Sequence, residues 1–266
     1  MSKKIDRNIL EIKKFINAAG TQIYDINALG ALLDELRLRD WVGARGTTEE
    51  LIERMAPFNL FKKEVIHRSN NARPLYYYLT GDISDLKFLS NLSTKCFFSH
   101  ATALTWQGIE SLPGSIFQTI GQLENSKPVL PLSQQAIDNA FEKPQRKPSN
   151  YYSWKNYAIY QLHRKVNDQI GIVEDKKNTG VYFTDMEQTL LDVSIRPLYA
   201  GGVKNVIATY QTLKGTISTD KLMHYLENGN FIYPYQQAIG FYLEYAGYPE
   251  EQWAAFQTMK SSYNFY

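Results

Sequence analysis

One cysteine stands in 266 residues. A disulfide within the chain needs two and a cysteine zinc site needs more, so both are excluded. Cys96, flanked by Phe97 and Phe98, reads as a small buried hydrophobe rather than a reactive thiol. Long apolar runs are missing as well. None approaches the roughly 20 residues that span a bilayer, and the opening M-S-K-K-I-D-R lacks the apolar stretch of a signal peptide. A cytoplasmic protein without a membrane partner is the expectation. Strong charge of one sign is absent: the formal net charge is +2, and the small excess falls within residues 1–82. The four histidines, His67, His100, His163 and His224, are scattered with no two four apart, which excludes a helical zinc pair. Neither a G-x-x-x-x-G-K-[S/T] loop nor a G-x-G-x-x-G turn occurs. No metal and no cofactor is expected. Ser99 and His100, being adjacent, should point apart, which argues against a hydrolytic triad.

What is present is the composition of a folded globular chain, with 44% hydrophobic and 21% charged residues. Aromatics are abundant, 19 Tyr and 13 Phe, some in clusters such as Y76-Y-Y78 and Y151-Y. Such rings can stack on bases, but most simply pack with their hydroxyls near water.

Residues 1–82 read as three helices and a hairpin. Ile9, Ile12, Phe15 and Ile16 recur at helical spacing before Gly20. Leu29, Leu32, Leu33 and Leu36 form a second apolar stripe. Thr47 with Glu50, three later, is a capping box that opens a third helix, with Leu51, Ile52 and Met55 inward and a stop at Pro57. The runs L60-F-K-K-E-V-I-H67 and P74-L-Y-Y-Y-L79 then suggest two strands around the polar loop R68-S-N-N-A-R73. Helices followed by a β-hairpin in this order are laid out as in a winged helix-turn-helix.

Residues 83–266 mix both structure types. C96-F-F should be a strand end that turns into a helix capped by Ser99. A charged, Pro-broken loop occupies 141–149. Strand-like runs follow at Y157–K165, Q169–V173 and G180–F183, and helices fill the rest, opening near Val203, Ser218, Tyr235 and Pro249. The class is α+β, an amino-terminal winged helix-turn-helix domain (1–82) followed by a mixed domain (83–266) with its sheet before its helices.

Three carboxylates fall within eight positions: Asp185, Glu187 and Asp192. Thr184-x-x-Glu187 and Asp185-x-x-Gln188 are both capping boxes, so the acids open a helix whose dipole favours them. Asp192 lies four before Arg196, a spacing suited to an ion pair. Pro197 then stops the helix and Gly201-Gly202 supplies a turn. The rival reading is a Mg²⁺ site for phosphodiester or nucleotidyl chemistry, which needs convergent carboxylates and often a lysine. E174-D-K176 has the Glu-x-Lys form but sits in a polar stretch. The motif reads as scaffolding, and no catalytic residue is expected.

The pattern Y182-F-T-D-M-E-Q-T-L-L-D192 followed by R196-P-x-x-A-G-G202 resembles the signature of AbiEi antitoxins, a family of type IV, abortive-infection toxin–antitoxin systems. F97-F-S-H-A-T-A-L-T-W-Q-G108 and Y235-Q-Q-A-I-G-F-Y-L-E244 agree with it. The resemblance implies a phage-defence antitoxin that represses its own operon through an amino-terminal winged helix. It also implies a carboxy-terminal antitoxin domain that counters a nucleotidyltransferase-like toxin without a stable complex.

For operator DNA the candidate contacts are Lys62 and Lys63 on the first hairpin strand and Arg68, Asn70 and Arg73 in its loop. Arg37, Arg39 and Arg45 precede the third helix, and Arg54 lies on it. Cations supply phosphate affinity; a short polar tip suits a groove or a phosphate. Against a standard docking, the first turns of the third helix carry Glu49, Glu50 and Glu53 where phosphate would lie. The remaining alternative is a defence-associated interaction module that has lost DNA.

Overall fold

The computed structural model describes residues 3–122, 133–142, 146–165, 170–229, 231, 233–259 and 263. Contacts divide the chain into two compact units. One is residues 1–92 with 152–154; the other is residues 93–151 with 155–266.

The first unit opens with α1 (Lys3–Arg7), α2 (Ile9–Ala18), β1 (Ile23–Tyr24), α3 (Ile26–Leu38) and α4 (Thr48–Met55). The three expected helices are α2, α3 and α4; α1 is additional. Asp25 opens α3 by accepting a 2.8 Å hydrogen bond from the Ala28 N–H. Thr47 does the same for α4, taking the Glu50 N–H at 3.2 Å. Leu29, Leu32, Leu33 and Leu36 meet Ile12, Ile16, Leu51 and Met55 in one buried cluster. Each such side chain contributes about 1.5–3 kcal/mol.

The hairpin is β2 (Lys62–Arg68) against β3 (Leu75–Leu79), antiparallel with Val65 opposite Tyr76. It does not stand alone. β1 pairs with the far edge of β3, and the later segment Tyr152–Trp154, which is β6 in chain order, pairs with β2 at His67–Ser153 and Arg68–Tyr152. Trp154 explains the return: its Nε1 donates to the buried Glu64 carboxylate at 2.7 Å. Its ring also packs 4.8 Å from Phe88. Phe88 lies on α5 (Asp85–Leu89) and meets Tyr77 edge-on at 5.4 Å. That contact carries the unit past residue 82, where the composition suggests a boundary, to Leu92.

The second unit contains β4 (Cys96–Phe98), α6 (His100–Trp106), β5 (Ser115–Gln122), α7 (Gln134–Phe141), β7 (Tyr157–Lys165), β8 (Ile172–Glu174) and β9 (Tyr182–Thr184). Helices α8 (Met186–Ile195), α9 (Val203–Thr212), α10 (Thr219–Asn228), α11 (Tyr235–Tyr245) and α12 (Glu250–Thr258) complete it. Strand order is β7-β5-β4-β9-β8. β5 runs parallel to β7 and β4 parallel to β9, while the other pairs are antiparallel. The class is α+β with a mixed sheet. Residues 143–145 of the expected charged loop and Gln169 of the expected strand lie outside the described residues.

Helix α8 is buried all round, with every residue from Glu187 to Ser194 covered. A helix without a solvent stripe belongs at the centre of its layer. Leu190, Leu191 and Val193 pack with Val206, Tyr210, Leu222, Ile239 and Leu243. The polar atoms brought inside are matched: Ser194 Oγ lies 2.8 Å from the Tyr210 hydroxyl, and the Tyr248 hydroxyl donates to the Tyr210 carbonyl at 2.9 Å. Pro197 ends α8 in a short 3-10 turn, and Gly201 and Gly202, at φ 87° and 105°, reverse the chain as expected.

Candidate nucleic-acid interface and the acidic cluster

The structure separates the nine candidate DNA contacts into two groups. Four cations are engaged inside the first unit. Arg37 spans from Asp34 Oδ1 (2.6 Å) to the Gly46 carbonyl (2.7 Å), tying α3 to the loop before α4. Arg39 bonds Glu35 at 3.1 Å and lies over the Phe15 ring at 4.5 Å. Arg54 pairs with Asp6 at 3.3 Å, and Lys62 with Glu64 at 2.8 Å. Each of these has a structural contact that accounts for its charge.

The other cations do not. Arg45, Lys63, Arg68 and Arg73 are exposed and make no ion pair among the described residues. Lys63 rests over the Tyr76 ring, 4.6 Å from its centroid. Asn70 folds the loop by accepting the Ala72 N–H at 3.2 Å, and Asn71 takes a positive φ of 56° beside it. The tip residues Asn70, Asn71 and Arg73 remain exposed. Lys63, Arg73, Tyr76 and Tyr78 line a cleft of about 760 Å³ shared with Asp25 and Glu49. The Glu49 carboxyl is held below its usual range by its own N–H and by the Thr47 hydroxyl, so it stays anionic. Basic, aromatic and acidic side chains thus line the same cleft.

The carboxylates of the second unit are bound to their own fold. Asp185 is the N-cap of α8, its Oδ1 accepting the Gln188 N–H at 2.9 Å. The Asp185 cap therefore forms, while the Asp185 N–H goes to the Gly171 carbonyl at 2.7 Å rather than back to the Gln188 side chain. Thr184, the alternative cap, instead places its hydroxyl 2.8 Å from that of Thr189. Asp185 Oδ2 accepts from the Tyr225 hydroxyl (2.8 Å) and Lys221 Nζ (2.9 Å). Glu187 takes Lys221 Nζ at 2.8 Å and the backbone N–H of Ser218 at 3.0 Å. Burial pushes the Glu187 carboxyl up, but the Lys221 ammonium and the Ser218 N–H outweigh it and the net shift is downward. Burial likewise opposes the charge on Lys221, yet the two carboxylates raise its pKa overall. Tyr225 rises to about 12, through burial and the Asp185 carboxylate beside it.

Asp192 accepts a hydrogen bond from Gln188 Nε2 at 2.9 Å. The expected ion pair with Arg196 does not form. Arg196 projects over the Tyr199 ring at 5.6 Å, because its backbone has already left the helix at φ −133°. Glu174 closes a turn by accepting the Gly180 N–H. Among the described residues no group of three acids, histidines or cysteines could hold a metal ion. Lys221 and Tyr225 were not legible as partners, since they come 36 and 40 residues after Asp185.

A second correction concerns Ser99 and His100. They do not point apart: Ser99 Oγ lies 2.8 Å from His100 Nδ1 and 2.8 Å from Thr119 Oγ1. His100 reaches this position with a φ of 50°, a left-handed conformation uncommon for residues other than glycine. Ser99 stands at the cap position of α6, yet its side chain makes no cap bond. Ser99 is fully buried and His100 nearly so, beside Phe117 and Tyr199.

No protein-family model and no curated protein matches this chain. Among solved structures, it is similar to the crystal structure of RV2827C protein from Mycobacterium tuberculosis. Identity is 11% and the TM-score 0.55, over 96% of this chain and 82% of that one. The likeness is one of fold. No helix among the described residues is long and apolar enough to cross a membrane.

Proposed function

We propose that the first unit is a winged helix-turn-helix that binds operator DNA, and that the chain is a non-enzymatic antitoxin and autorepressor. The observation that carries the DNA reading is the division among its cations. Arg45, Lys63, Arg68 and Arg73 are exposed without ion pairs, and three of them lie on the hairpin and its loop, which presents Asn70 and Asn71 at its tip. Protein phosphate contacts need cations free to displace counterions. Glu49 and Glu50 at the start of α4 disfavour phosphate there, so the contact runs through the wing and Arg45 rather than through α4.

The antitoxin reading rests on the resemblance of the Y182–G202 and F97–G108 stretches to AbiEi proteins. It carries with it a nucleotidyltransferase-like toxin as functional partner, and self-association on repeated half-sites. The engagement of Asp185 and Glu187 by Lys221 supports a role without catalysis in that cluster. A second reading, docking of a cationic protein segment, is favoured by Asp25 and Glu49 in the lining of the same cleft.

A mobility-shift titration with DNA from the region upstream of the gene tests the proposal. Four phosphate contacts give a log–log salt slope of about −3.6. Binding indifferent to salt, or no preference for that DNA over an unrelated duplex, rejects it.

A further inference from the structure

A second cavity, of about 510 Å³, lies wholly within the second unit. Arg146, Pro148, Gln161, Leu162, His163, Arg196 and Tyr199 line it. Its volume falls in the range of small-molecule pockets. No carboxylate is among these residues. Neither Arg146 nor Arg196 makes an ion pair among the described residues, so two guanidinium groups face one concavity without a counter-charge. The acid placed to neutralise Arg196, Asp192 four residues earlier, is turned inward to Gln188 at 2.9 Å.

The rest of the wall is ordered. Tyr199 stacks on Phe117 with ring centroids 5.0 Å apart and planes 20° apart, and the Arg196 guanidinium lies 5.6 Å from its centroid. Tyr199 thus fixes the level at which Arg196 is presented. Gln161 Nε2 donates to Ser93 Oγ at 2.8 Å, which orients the amide. Two forks of planar donors match the tetrahedral oxygens of a phosphate group. Leu162 and Pro148 give an apolar wall for the body that carries it.

We propose that this cavity binds a small phosphate-bearing ligand of nucleotide size, with Arg146 and Arg196 on the phosphate. The site is independent of operator binding by the first unit.

Calorimetric titration of the full chain with AMP, ATP and inorganic phosphate tests it, beside a single-stranded oligonucleotide of about 12 nucleotides. The expected result is saturable binding of AMP or ATP, with inorganic phosphate weaker. Arg146→Ala and Arg196→Ala each weaken the nucleotide by about tenfold, the loss of one charge-assisted contact. Arg196→Lys restores part of that loss. Arg146 is exposed and outside any helix or strand, so its variant carries the test even if Arg196→Ala disturbs the end of α8. The proposal is overturned by no binding of any of the three small probes at roughly 5 mM, where a site of useful affinity would be filled. It is also overturned if affinity in Arg146→Ala equals that of the parent. Binding of the oligonucleotide alone, sensitive to Arg146→Ala, overturns it too, in favour of a nucleic-acid track on this unit.

Discussion

Lys221 Nζ lies 2.8 Å from Glu187 Oε2 although the residues stand 34 positions apart. The same ammonium reaches Asp185 at 2.9 Å, and Glu187 also takes the first free N–H of α10 at Ser218. One lysine and two acids therefore lock the start of α8 to the start of α10. The grouping that raises the question of a metal site is a clamp between helices.

Replacing Lys221 with Met should lower stability by about 1–2 kcal/mol. The loss is smaller than for a fully buried pair because the lysine side chain is 42% exposed. The clamp has two pH limits. The Glu187 carboxyl is shifted down, so its contribution is present above the ordinary glutamate pKa, near 4.3, and is lost as pH falls through the lower folded value. Lys221 is shifted up, so its share is complete below about pH 10.4 and is lost only as pH rises through the folded value. Thermal unfolding of both proteins from pH 3 to 8 should show the difference between them vanish at the acid end.

Gly171→Ala should cost about 2–4 kcal/mol. The residue has a φ of 70°, and a Cβ there would lie 2.6 Å from the Gln188 Cβ. Its carbonyl also accepts the Asp185 N–H at 2.7 Å, so the strain would fall on the opening of α8. Denaturant unfolding measures it.

Ser99→Ala should destabilise by about 1–3 kcal/mol, since it strips one partner from both His100 and Thr119 in a buried setting. A fluorophosphonate probe should leave the native protein unlabelled at Ser99, which is fully buried. Labelling there would give the serine–histidine pair a chemical role.

The two groups of cations should separate in variants. Arg45→Ala, Arg68→Ala and Arg73→Ala each reduce the salt slope for operator DNA by about 1 while leaving stability within ±0.5 kcal/mol. Arg37→Ala should instead lower the thermal midpoint, because it frees Asp34 and the Gly46 carbonyl together. Equal effects from both sets would remove the distinction on which the wing route depends.

Trp154→Phe keeps the ring against Phe88 but withdraws the donor from Glu64, whose side chain is 11% exposed. A loss of about 1–3 kcal/mol follows from leaving that carboxylate short of a partner. The reading fails if chemical denaturation shows no change.

Much of the architecture could be read from residue order. The stripes Leu29–Leu36 and Leu51–Met55, the cap Thr47, the cap Asp185 and the reversal at Gly201-Gly202 all appear where short-range spacing places them. The two hairpin strands around the loop 68–73 were equally visible, but their neighbour was not: Tyr152–Trp154 joins β2 from more than 80 residues away. The pairing of Ser99 with His100 was missed because it depends on a positive φ at a histidine, which no neighbour in the sequence requires.

By itself, then, the amino-acid order determined the openings of α4 and α8, the stop at Pro197 and the absence of a cysteine or histidine pair at metal-ligand spacing. These depend on interactions within a few residues. Only the tertiary structure decided which charges are satisfied and which remain exposed. Lys221, Trp154 and Asp6 reach their carboxylate or cation partners from 34, 90 and 48 positions away, and the spacing of charges along the chain carries no record of such approaches.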